Sequence, residues 1–137
     1  MATSNAATTF LENKLLNFLF KNNAGSFSSP GDNIFVGLAT AVASGSETTV
    51  TEANFGNYAR QQKAASTWTV PSASTDAQIA IEYPASSGTN NTITHVFIAS
   101  AVSGGDIYFI GALDASKTIA TGDIFRINAG NLSIQLN

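Results

Sequence analysis

The stretch TITHVFIASAVSGGDIYFIGAL, residues 92–113, sets the fold class. Two apolar runs rich in β-branched and aromatic residues, 92–100 and 106–113, flank a Gly-Gly pair. That is the pattern of two strands joined by a hairpin. Working outward, NIFVGLAT (33–40) places Ile34, Val36 and Leu38 on one face of a strand. YARQQKAASTWTV (58–70) reads as a strand broken near Ala64 and Ala65, and AQIAIEYP (77–84) as another. KTIA and DIFRI (123–127) lead to NLSIQLN (131–137), where Leu132, Ile134 and Leu136 alternate with Ser133 and Gln135. Strands this short, separated by turn residues, predict a mainly β chain, an antiparallel β-sandwich or jelly roll, and no βαβ units.

One segment breaks the pattern. In TTFLENKLLNFLFKN, Thr9 followed by Glu12 reads as a capping box. Phe10, Leu11, Leu15, Phe18 and Leu19 fall on one helical face, which predicts one N-terminal α-helix over about residues 10–22. Leu16 and Phe20 lie outside that stripe. The helix is therefore apolar over more than half its girth, which suggests contact with a second chain or a partner. Residues 1–8 are small and polar and are expected as a flexible arm, with 9–137 as a single domain.

Composition narrows the function. The 137 residues contain no Cys, so disulfides, thiol catalysis and thiolate zinc sites are excluded. Charged residues are 11% of the chain against a usual ~25%. Six basic residues cannot make a phosphate-tracking stripe, so no nucleic-acid partner is expected. No apolar run reaches the ~18 residues of a membrane span. The N-terminus lacks a secretory signal, so synthesis in a cytoplasm is the expectation, with any export by another route such as release by cell lysis.

Candidate chemistry is sparse. GDNIF, GDIYF and GDIFR begin at Gly31, Gly105 and Gly122. They read as turn-to-strand starts, with Gly at positive φ and Asp bonded to backbone; the rival reading makes Asp32, Asp106 and Asp123 calcium ligands. His95, the single histidine, sits mid-strand and reads as structural; a catalytic base is the alternative. No G-x-S-x-G elbow and no facing carboxylate pair stands out. Trp68 reads as core, or with Tyr58 and Tyr83 as a sugar-stacking platform. Arg60 follows Tyr58 by two residues and has Glu52 and Glu47 upstream. A Glu52–Arg60 bridge covered by Tyr58 is the structural reading, and a subunit interface the functional one. No enzymatic activity, cofactor, metal or small-molecule substrate is expected.

Several of these residues carry a resemblance. The order TE, a short Gly-containing stretch and YARQ (51–61), a Trp strand, TITHVFI (92–98), then DIYFIGALDASKTIATGDIFRINAGNLSIQL (106–136) resembles a family of small bacteriophage virion proteins, tail-fibre-like or capsid cement (decoration) proteins. The chain departs from the family pattern at Asn54-Phe55, where a Gly-rich run is usual. The resemblance implies a virion structural protein. The main expectation is capsid cement on the outer capsid surface, bridging capsomers, with the major capsid protein as partner. The alternative is a tail-fibre or tail-associated, receptor-binding module. The doubly apolar helix, with Phe10, Leu11, Leu16 and Phe20 as interface candidates, suggests self-association, and a homotrimer is expected because capsid lattices offer three-fold positions that a closed trimer matches without forming open fibres.

Overall fold

A computed structural model describes residues 2–3, 7–21, 29–43, 49–72 and 74–135. The chain is mainly β, with a single α-helix among the described residues. A five-stranded sheet has β2 (Phe35–Val42) and β8 (Asn91–Ala99) at its centre and β9 (Ile107–Ile119) beyond β8. The other side of β2 is shared by two short strands, β3 (Val50–Glu52) and β4 (Gln61–Gln62). A four-stranded sheet runs β1 (Ala2–Thr3), β11 (Ser133–Gln135), β6 (Ser74–Ala77), β5 (Trp68–Ser72). A two-stranded ribbon pairs β7 (Ile81–Glu82) with β10 (Arg126–Ile127). All pairings are antiparallel except β1 with β11, which is parallel.

The period-two reading of 33–40 holds. Val36 and Leu38 are fully buried and Ile34 packs beside them, in one core with Val96 and Ile98 of β8, Ala77 of β6 and Ile134 beside Leu132. That core joins the large and the small sheet. The other face of β2 is covered as well, because Phe97 lays its ring across Gly37, its cross-strand partner. A Cβ at position 37 would collide with that ring. Burying Phe97 contributes roughly 1.5–3 kcal/mol, and glycine is what lets the ring lie flat on the sheet.

The hairpin of 92–113 forms as expected. Gly104 and Gly105 take φ of 62° and 72°, conformations open to glycine at little cost. Ser100 N donates to Asp106 O at 2.9 Å and Asp106 N to Ser100 Oγ at 2.9 Å, closing the turn. The strand from 107 continues through KTIA to Ile119, but its ladder breaks. Ile93 pairs with Lys117 while His95 pairs with Ala112. Residues 113–116 of β9 therefore oppose only Thr94 and bulge away from β8. The break in YARQQKAASTWTV also appears where expected, as a short 3-10 turn at Ala65–Thr67 between β4 and β5. The segment 77–84 is not one strand: β6 ends at Ala77 and β7 begins at Ile81.

Helix α1 spans Thr9–Phe20. Its N-cap is Thr8, one residue earlier than the capping box predicted: Leu11 N donates to Thr8 Oγ1. Tertiary contacts moved the cap. Thr8 is wholly buried, its N donating to Tyr108 O and its hydroxyl to Ile107 O, while Ala7 bridges to Phe109. The expected arm, residues 1–8, is thus tied down where it is described: β1 pairs with β11, and Ala7–Thr8 find backbone partners on the edge of β9. Leu11 is buried and Phe10 meets Tyr108 with ring centroids 6.1 Å apart. Leu15 is half-buried and the stripe stops there: Phe18 and Leu19 are exposed, as are Leu16 and Phe20 outside it, Leu19 at 67% and Phe20 at 77%. The expected helix end at Asn22, Asn23 and Gly25 lies outside the described residues, as does Leu136. No helix among the described residues is long and apolar enough to cross a membrane.

Candidate functional site

Glu52, Tyr58 and Arg60 form one network at the edge of the large sheet. Arg60 donates from Nε to Glu52 Oε1 at 2.8 Å and from Nη2 to Glu52 Oε2 at 2.9 Å. Its Nη1 donates to Ala101 O at 2.7 Å and Gly104 O at 2.8 Å, two carbonyls of the β8–β9 hairpin loop. The guanidinium lies 5.0 Å from the centroid of the Phe97 ring. Tyr58 OH donates to Glu52 Oε1 at 2.7 Å and accepts from Leu38 N at 3.0 Å.

The last bond fills a gap in the sheet. β4 pairs with Phe35 and Val36, and β3 with Ala39 onward, leaving the Leu38 amide between them. A buried amide without a partner costs about 1–3 kcal/mol, and the Tyr58 hydroxyl removes that cost. Residues 58–60 are not strand, contrary to the reading of 58–70. Tyr58 and Arg60 nevertheless converge, because both reach Glu52. Burial raises the Tyr58 phenol above its ordinary range, offset in part by the Leu38 amide and reinforced by Glu52. The Glu52 carboxylate raises the Arg60 guanidinium, against the opposing effect of burial.

Four of the guanidinium's five N–H groups meet protein acceptors, and its face meets Phe97. Little remains for a ligand, so the network is a clamp: it fastens the loop after β3 to the β8–β9 hairpin. The other expected acid, Glu47, lies outside the described residues.

The remaining sequence candidates lie elsewhere. His95 is on β8, half-buried, with Nδ1 2.8 Å from Thr94 Oγ1, and no acid bonds to it among the described residues. Trp68 is on β5, packed against the core. Tyr83 is 1% exposed and donates to Val36 O at 2.8 Å, stacking on Tyr58 with centroids 6.0 Å apart. An outward sugar platform built from Trp68 and these tyrosines therefore does not form; the rings are needed inside. Phe10 and Leu11 join α1 to β9, whereas Leu16 and Phe20 face outward.

Gly31, Gly105 and Gly122 all have positive φ. Asp32 Oδ1 accepts from Ala65 N and Asp123 Oδ2 from Ala120 N, both at 2.9 Å. Asp106 joins its turn through backbone atoms instead. No group of three or more acids and histidines is arranged to hold a metal among the described residues.

Two features escaped the sequence reading. Asn91 Oδ1 accepts from Asn54 N at 2.7 Å and Phe55 N at 3.0 Å, and Asn91 Nδ2 donates to Asn54 Oδ1 at 2.8 Å. This is how the chain accommodates Asn54-Phe55: Phe55 is buried edge-on against Tyr58, and Asn54 is fixed by Asn91. The second feature is a cleft of about 390 Å³ between the β9 bulge and the residues around β10. Leu113, Ile124 and Phe125 supply its apolar lining, and Asp114, Lys117, Arg126 and Asn128 are among its polar groups.

A small β-rich chain whose most elaborate polar network serves to hold loops is built as a structural module. Residues 6–135 match the model of a family described as podophage GP4 fiber I protein gp80, and the chain belongs to that family. It is accordingly a bacteriophage virion structural protein. Among curated proteins, none matches the chain.

Proposed function

We propose that this protein is a subunit of the phage fibre with a structural, non-enzymatic role. The observation that carries the reading is the family match, which extends over residues 6–135 and names a fiber protein. It supports the fibre alternative better than capsid cement on the outer capsid surface, which rested on a general resemblance to small β-rich virion proteins. The fold is consistent with the role. Its loops are pinned by side chains, as at Arg60.

Self-association, with the homotrimer as the expected state, has a surface that supports it. The outer half of α1 presents Leu16, Leu19 and Phe20 to solvent, and burying each large apolar side chain contributes roughly 1.5–3 kcal/mol. The surface carries little charge to oppose contact between copies.

Cryo-microscopy of the particle with antibody fragments against this protein tests the location. Label along the fibre is the expected result, and label confined to the capsid surface overturns the reading. Light scattering tests the trimer, which requires three times the 14.2 kDa chain mass.

A further inference from the structure

We propose that the cleft between the β9 bulge and β10 is a binding site for a neutral saccharide. Its shape follows from the broken ladder. Residues 113–116 leave β8 and stand off the sheet as one wall, while the chain around β10 forms the other. Bulges recur where a strand must redirect side chains toward a site, and about 390 Å³ falls within the usual range of small-molecule sites.

The lining chooses the ligand class. Ile124 is 53% exposed and lines the cleft with Leu113, apolar surface suited to the C–H face of a sugar ring. Among the described residues neither Asp114 nor Lys117 enters an ion pair or a side-chain hydrogen bond, so both are open to a ligand. Arg126, by contrast, is fixed: Nη1 donates to Glu82 Oε2 at 2.9 Å and Nε to Asn128 Oδ1 at 2.9 Å.

The balance of charge is close to zero. Glu82 neutralises Arg126, and Asp114 offsets Lys117. An anion would meet the Asp114 carboxylate and a cation the Lys117 ammonium. Hydroxyl groups, which donate and accept together, satisfy both. A purely apolar ligand would strand these polar groups. A polyhydroxylated, uncharged ligand with apolar ring faces meets every part of the lining.

The inference deepens the fibre reading, which supplies only the source of the sugar, a host surface. The test is ligand-observed NMR and calorimetry of the full chain with neutral di- to tetrasaccharides of glucose, galactose and rhamnose. Saturable binding by at least one series is expected, weakened tenfold or more by Asp114→Ala and by Ile124→Asp. Both positions are exposed, and circular dichroism checks that each variant is folded. The proposal is overturned if none of these saccharides binds at about 1 mM, or if both variants bind as the parent does. Failure here with fibre labelling intact removes the cleft alone, and binding with label off the fibre removes the location alone.

Discussion

Arg60 and Glu52 meet fork to fork, Nε on Oε1 and Nη2 on Oε2, with the arginine side chain 5% exposed and the glutamate 31%. The pair is therefore buried on one side and open on the other. Arg60→Ala leaves Glu52 with Tyr58 as its one remaining side-chain partner and frees two hairpin carbonyls. The full cost of breaking a buried pair, roughly 3–5 kcal/mol, is reduced by solvent at Glu52, so about 2–4 kcal/mol is expected. Arg60→Lys recovers only part, since an ammonium cannot form the fork. Urea unfolding with an unchanged m-value checks both, and a loss under 1 kcal/mol for Arg60→Ala would show that the clamp contributes little.

Tyrosine ionisation gives a second expectation. The chain has three tyrosines, and burial raises Tyr58, Tyr83 and Tyr108 above the ordinary 10.0. The folded chain holds these protons more tightly than the unfolded chain. Stability from this source is therefore complete below pH 10.0 and falls as pH rises above it. Ultraviolet titration should show Tyr108 ionising first, with Tyr58 and Tyr83 ionising together as the chain unfolds. Free titration of all three near pH 10.0 would contradict the buried placement.

Gly37→Ala places a methyl where the Phe97 ring lies. Displacing that ring also disturbs Arg60, which rests on it. A loss of about 1–3 kcal/mol is expected from overpacking, and the double variant with Phe97→Leu should recover part of it. Equal losses in the single and double variants would mean that the ring is not the obstacle.

Asn91→Ala leaves the amides of Asn54 and Phe55 without their acceptor. Partial exposure lets water replace one, so about 1–2 kcal/mol is expected. Hydrogen exchange should localise the effect to residues 53–58. Unchanged protection of the Phe55 amide would show that Asn91 is dispensable.

The strands that close the core were legible because each announces itself locally. Val36 and Leu38 alternate, the Gly-Gly pair marks its hairpin, and the break at Ala64–Ala65 appears as a turn. The Arg60–Glu52 pair was legible for a different reason: a chain with few charges has few ways to satisfy a buried arginine. What was hidden depends on contacts distant in sequence. Thr8 became the cap because Ile107 and Tyr108 were beside it, and Tyr83 was withdrawn from any surface platform by the Val36 carbonyl. Neither Asn91 nor the bulge at 113–116 has a local signature, since an asparagine near a strand and an unbroken apolar-polar run are both ordinary. The cleft arises only when β9 and β10 are brought together.

The parallel pairing of β1 with β11, Ala2 beside Ser133 and Thr3 beside Ile134, has a consequence in time. Synthesis delivers β1 well before β11, so β1 must wait for its partner while the residues between them emerge. Pairings so distant in sequence form slowly, because the long loop must close before any contact rewards it. A chain stalled before β11 leaves both β1 and β6 with open edges. Until β11 forms, the small sheet is only the β5–β6 pair and β1 has no strand to join, so one three-residue segment decides whether four strands become a sheet.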